Sequence, residues 1–223
     1  MKLVEYPDRE MMMINVANVL AGAINATLMH AERCSLAVPG GTTPGPAFEA
    51  LCAAKLDWDR VDVLLTDERW VSEDGARSNG RLLRRTLLTE RAAMARFHPF
   101  FREGLTPEEA APRLSDEVAP LLPISVLLLG MGADMHTASL FPGAEGLAAA
   151  LAGDAPPVLP IVAPETGEVR VTLTAPVLDG ALSKHVLITG QDKREALARA
   201  ADLDAETAPI RTIWRDLTVH WAE

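Results

Sequence analysis

The chain has 223 residues, 48% hydrophobic and 23% charged, a composition that suits a globular enzyme with room for a three-layer core. A formal net charge of -10 at pH 7 sets it against nucleic acid and anionic membranes as partners, because its long-range field repels both. A small anion is not excluded, since a few cations and backbone amides focused in one cleft are enough to hold it.

In chain order, the apolar spacing predicts a helix from Asp8 to Arg33, with Met12, Val16, Val19, Leu20 and Ala23 on one face. A strand follows from Ser35 to Val38, a helix from Pro44 to Ala54, and a buried strand from Val61 to Leu65. Helices are expected over Asn79 to Leu88 and Pro107 to Ala119, and the clearest strand over Ile124 to Leu129. Beyond it come a glycine-rich turn, a short helix near Thr137, and a loop from Pro142 to Pro160. The last third reads as a strand from Val169 to Leu173, a short helix, a strand from His185 to Thr189, a helix from Asp192 to Ala201, and a final strand from Thr218 to Trp221.

Strands alternating with helices, and apolar on both faces, predict one α/β domain over residues 1–223: three layers around a mostly parallel sheet. The apolar runs are strand-length, so no membrane span is expected, and the first residues lack the basic head and apolar centre of a secretory signal. A cytoplasmic location follows by default. Cys34 and Cys52 lie among apolar neighbours and read as reduced, buried thiols. The five histidines show no metal-ligand spacing with each other or with these cysteines, so no metal is expected.

Ligands of parallel sheets bind beyond the carboxyl ends of strands, and four polar segments stand there. Gly40-Gly41-Thr42-Thr43-Pro44 joins a strand to a helix, with Thr43 placed to cap it and Pro44 at its first position; free amides there form a phosphate cradle or a plain tight turn. Thr66-Asp67-Glu68-Arg69-Trp70 places three charges at the end of a buried strand, where they must face a cleft or satisfy one another. Arg69 suits a bidentate anion clamp. Gly130-Met131-Gly132-Ala133-Asp134-Met135-His136 has methionine where a dinucleotide fingerprint needs its third glycine; His136 is either a helix-end histidine or, as its place on a glycine-rich strand-to-helix turn favours, a candidate general base that Asp134 two residues before it could orient. In Gly190-Gln191-Asp192-Lys193-Arg194-Glu195, Asp192 and Glu195 have capping-box spacing. Lys193 falls in the first helical turn, where the dipole disfavours a cation unless an anion binds beside it.

Together, Pro39 to Pro44, Thr66 to Val71 with Ser78-Asn79, Leu129 to Gly143, and Arg170 to Thr174 leading to Gly190 and Lys193 resemble the 6-phosphogluconolactonase family over most of the chain. The resemblance implies the fold shared by sugar-phosphate isomerases and coenzyme A transferases, and cofactor-free hydrolysis of a sugar-phosphate lactone by a monomer or weak homo-oligomer. It implies His136 as the base, Asp134 as its orienting partner and Arg69 as a catalytic anion contact. Gly41, Thr42, Thr43, Asp67, Arg170 and Lys193 would bind the substrate and its phosphate. Two positions depart from the family pattern: Met135 stands where glycine is usual, and Pro39 where serine is common. If that glycine normally has a positive φ, Met135 costs local strain. The competing readings are a glucosamine-6-phosphate deaminase-like enzyme of the same fold and a sugar-phosphate sensor without turnover.

Overall fold

The computed structural model describes residues 1–223. Its ten strands are β1 (Lys2–Glu5), β2 (Cys34–Val38), β3 (Val61–Leu65), β4 (Asp67–Arg69), β5 (Arg96–His98), β6 (Val126–Gly130), β7 (Val158–Val162), β8 (Val169–Leu173), β9 (Ser183–Thr189) and β10 (Leu217–Ala222). Seven α-helices lie between them: α1 (Arg9–Leu28), α2 (Gly45–Cys52), α3 (Asn79–Thr86), α4 (Pro107–Val118), α5 (Leu147–Leu151), α6 (Ala175–Asp179) and α7 (Gln191–Ala200).

The main sheet has seven strands in the order β1-β10-β9-β6-β2-β3-β5, and all its pairings are parallel. Every residue of β2 and β3 is buried, so both faces of the sheet are covered, the three-layer arrangement expected from apolar strands. A smaller antiparallel sheet runs β4-β8-β7. Thr66 joins the two: its N–H bonds Val38 O at the end of β2, and its carbonyl accepts from Leu173 N at the end of β8. One hydrophobic cluster of 56 buried residues unites the layers.

Helix α1 starts where expected, because Asp8 caps it by accepting from Met11 N at 2.7 Å. It stops at Leu28, short of Arg33, in a turn closed by His30 N and Ala31 N on Thr27 O. By length and composition α1 is apolar enough to cross a bilayer, contrary to the expectation that all apolar runs are strand-length. One face of it is taken up by the core, with Met12, Val16, Leu20 and Ile24 fully buried while Met11 and Ile14 are exposed, and burying each such side chain contributes roughly 1.5–3 kcal/mol.

Other expectations fail where elements are short. β1, β4 and β5 have four, three and three residues, too few for a period to show. The expected loop from Pro142 to Pro160 holds α5 and the start of β7. No helix forms near Thr137; positive φ at Met135 (68°) and Ala138 (49°) turns the chain into a tight Thr137↔Leu140 bridge instead.

Candidate active site

Four of the central strands, β9, β6, β2 and β3, are contiguous in the sheet, and one of the four polar segments follows each. From β2 the chain builds outward through β3 to β5, then returns to β6 and builds the other way through β9 and β10. The crevice beyond β2 and β6 is therefore a topological switch point, where the loops on either side diverge and leave room for a ligand. A cleft of about 230 Å³ lies there, and Gly41, Thr43, Asp67, Arg69, His136, Arg170 and Lys193 all line it. Thr42 does not; it faces an adjoining hollow beside Arg9. Asp134 stands just outside, in a hollow that shares Gly132, His136 and Arg170 with the cleft.

The Gly40 to Pro44 loop turns at Gly41 (φ 86°) and opens α2. Pro44 is the N-cap, not the first helical residue, and no side chain caps the helix, so Thr43 does not cap as expected. No side chain accepts from the first turn of α2; Gly45 N donates to Thr42 O at 3.2 Å, and Pro46 has no N–H. At α7 the N-cap is Gly190 (φ 89°), which puts Lys193 in the first turn but moves Asp192 out of the capping position. The expected capping box is absent, and Glu195 accepts from Gln191 Nε2 at 3.2 Å.

The charges after β3 separate into three roles. Glu68, 1% exposed, lies under the start of α3 and accepts from Asn79 N (2.8 Å), Gly80 N (2.7 Å), Arg69 N (2.8 Å) and Ser78 Oγ (3.0 Å). Burial raises its pKa from the ordinary carboxylate value, and those hydrogen bonds oppose the rise. Asp67 is also buried; its Oδ1 accepts from Thr66 Oγ1 at 3.2 Å and its Oδ2 from Ser139 Oγ at 2.6 Å, which ties β4 to the turn that carries His136. Asp67 and Arg69 both line the cleft, and Arg69 is the cation this segment brings to it.

Arg69 is paired in register with Arg170 across the β4–β8 ladder. Like charges directly opposite in a sheet are unfavourable, and an anion between them would relieve the repulsion. Burial lowers the pKa of Arg69; Asp67 opposes that, and Arg170 adds to it. Arg170 is held by Glu168 at 3.0 Å, lies 3.8 Å from Asp67 Oδ2, and sits over the Phe141 ring at 5.2 Å. Lys193, half-buried, brings a further cation from the α7 side of the cleft.

His136 Nδ1 lies 2.6 Å from Asp134 Oδ1. Burial pushes the Asp134 pKa up, but the hydrogen bonds and charge of His136 outweigh it and hold the carboxyl below its ordinary value. An ionised Asp134 fixes the proton of a neutral imidazole on Nδ1 and leaves Nε2 free as an acceptor. A Cβ at Gly132 would overlap both the His136 ring and the Asp134 carboxylate, so only glycine lets the pair close down on the loop.

Ser139 and Asn79 carry no local signal of a role in the sequence; hydrogen bonding across the fold gives both their significance.

A family model described as glucosamine-6-phosphate isomerases/6-phosphogluconolactonase matches residues 7–221. The chain is 41% identical over 210 residues to a 6-phosphogluconolactonase of Pseudomonas aeruginosa, covering 92% of this chain and 88% of that protein. It is 41% identical over 218 residues to one of Rhizobium meliloti, with coverage of 93% and 94%. Among solved structures, a 6-phosphogluconolactonase from Shewanella baltica superposes with a TM-score of 0.95 at 28% identity, covering 100% of this chain and 97% of that one. A monomeric glucosamine-6-phosphate deaminase shares the fold, with a TM-score of 0.83 at 17% identity, 99% of this chain and 97% of that one being covered.

Proposed function

The chain belongs to the family of glucosamine-6-phosphate isomerases and 6-phosphogluconolactonases, and from that premise we infer that it hydrolyses 6-phospho-D-glucono-1,5-lactone to 6-phospho-D-gluconate. It is thereby a carboxylic ester hydrolase of the oxidative pentose phosphate pathway. One observation supports this reading most: an imidazole with a free Nε2 and a group of three cations line the same cleft.

In this mechanism His136 Nε2 takes a proton from a water molecule as the water oxygen bonds to the lactone carbonyl carbon. Asp134 holds the Nδ1 proton and steadies the imidazolium that forms. The tetrahedral intermediate then collapses, the ring C–O bond breaks, and His136 returns its proton to the departing ring oxygen. Arg69, Arg170 and Lys193 hold the phosphate, with Gly41 and Thr43 completing its cradle. Asp67 holds the His136 turn through its bond from Ser139 and places a carboxylate 3.8 Å from Arg170. Thr42 contributes through the conformation of the loop, since its side faces the adjoining hollow.

We take residues 1–223 as one domain, acting in the cytoplasm as a monomer or weak homo-oligomer. The two buried, unpaired thiols suit a reducing compartment. The test is acid release from fresh 6-phosphogluconolactone above the spontaneous rate. Ammonia release from glucosamine 6-phosphate would assign the deaminase activity instead, and binding without turnover would mark a sensor.

A further inference from the structure

Asn79, at the first position of α3, is 2% exposed and lines the cleft. Its carboxamide is committed on both ends: Nδ2 donates to Asp67 O at 2.9 Å, and Oδ1 accepts from Arg69 Nη1. The other bond from Arg69 Nη1 goes to Arg77 O at 3.1 Å, so two carbonyl-type acceptors on the α3 side aim the guanidinium. The backbone of Asn79 is fixed as well, because its N–H donates to the buried Glu68 carboxylate at 2.8 Å.

A second observation points to the same carboxamide from the opposite side. A Cβ built on Gly40, in the cradle loop, would overlap the Oδ1 and Cγ of Asn79. Such an overlap is ordinarily relieved by moving the side chain, but this one cannot move without breaking its bond to Arg69 or to Asp67. Glycine at position 40 is therefore matched to the position of the Asn79 carboxamide.

We propose that Asn79 is a positioning residue that sets the Arg69 guanidinium toward the anionic ligand, and that Gly40 is kept free of a side chain to let it do so. The carboxamide is neutral, which matters physically. It orients the guanidinium without cancelling its charge, whereas a carboxylate in the same place would satisfy Arg69 internally and compete with an incoming phosphate. This inference rests on Arg69 being an anion contact of the lactonase site.

The test is a double-mutant cycle on Arg69→Ala and Asn79→Ala, read both as kcat/KM on the lactone and as the dissociation constant of inorganic phosphate from calorimetry. Asn79→Ala is expected to weaken both about tenfold in the wild-type background and by less than about twofold once Arg69 is alanine. Gly40→Ala, which displaces the carboxamide without deleting it, should reproduce the pattern and serves if Asn79→Ala does not fold. Equal losses on both backgrounds would overturn the positioning role, because Asn79 would then act independently of Arg69. A wild-type protein that binds phosphate without turnover would sink the lactonase reading alone, since the phosphate cycle still reads the coupling. Wild-type protein that binds no phosphate would remove the anion site and this proposal with it.

Discussion

His136 sits between two residues with left-handed backbones, Met135 (φ 68°) and Ala138 (φ 49°). For an L-residue that conformation costs roughly 1–2 kcal/mol, and glycine would avoid it at an entropic cost of roughly 0.5–1 kcal/mol and the loss of a half-buried side chain. These terms nearly cancel, so Met135→Gly should leave the thermal midpoint within a few degrees and turnover unchanged. Met135→Ile, β-branched at the same φ, should lower stability by about 1–2 kcal/mol in chemical denaturation. A tenfold loss of kcat in Met135→Gly would instead show that the methionine side chain supports the turn. At the neighbouring position, His136→Ala should reduce kcat by roughly 10²- to 10⁴-fold with little change in KM, measured by acid release. Lys193→Ala should chiefly raise KM, because a phosphate remote from the carbonyl is held equally in the ground and transition states. Wild-type turnover in His136→Ala would end the base assignment.

At the scale of elements, the site is held by what lies under its loops. α3 begins on Glu68, whose carboxylate occupies the positive end of the helix and accepts four hydrogen bonds. Glu68→Ala would leave those donors buried without partners, and a loss of about 3 kcal/mol or more in urea unfolding is expected, with impaired phosphate binding because Asn79 and Arg69 shift together. Stability within 0.5 kcal/mol of wild type, taken as roughly the size of an ordinary surface change, would refute this. The charged run at 67–69 was legible as an anomaly, since charges at a buried strand end must be satisfied somewhere. Its division into a helix anchor, a loop tie and a cleft-lining cation was not, because that depends on Ser78, Asn79 and Ser139 arriving from other segments. The capping expectations at Thr43 and Asp192 failed for a related reason: a shift of one or two residues in a helix start changes which residue is the cap, and Pro44 and Gly190 took those places.

At the scale of the whole molecule, one edge of the sheet is joined by a buried chain of hydrogen bonds. Tyr6 Oη lies 2.8 Å from His220 Nδ1, His220 Nε2 lies 3.2 Å from His185 Nδ1, and His185 Nε2 lies 2.9 Å from Ser183 Oγ. With one proton on each imidazole the chain closes in either direction, and two facing imidazolium rings would break it. Burial, then the nearby His185 and Lys2, lower His220 from 6.5 to about 4, and burial lowers His185. Between those pH values the unfolded chain binds more protons than the folded one, so stability rises with pH through that window and is lost as pH falls from 6.5 towards 4. A loss on the order of 2–3 kcal/mol between pH 7 and pH 4 from this network is expected in urea unfolding. Replacing His220 with glutamine should flatten that slope, and an unchanged slope would show that other groups carry the acid sensitivity.

The sequence alone determined the alternation of strand and helix, the parallel sheet, and the identity of the segments that meet beyond it, because apolar period and strand-end polarity are local properties of the chain. It also placed His136 beside Asp134, since two residues apart on a tight turn are necessarily close. Only the tertiary structure decided that β9, β6, β2 and β3 are neighbours, that Arg69 faces Arg170 across a second sheet, and that Asn79 fits against Gly40. Those relations join residues from about 30 to about 150 positions apart, and no local propensity encodes a distance of that kind; it emerges when strand order and burial are satisfied together.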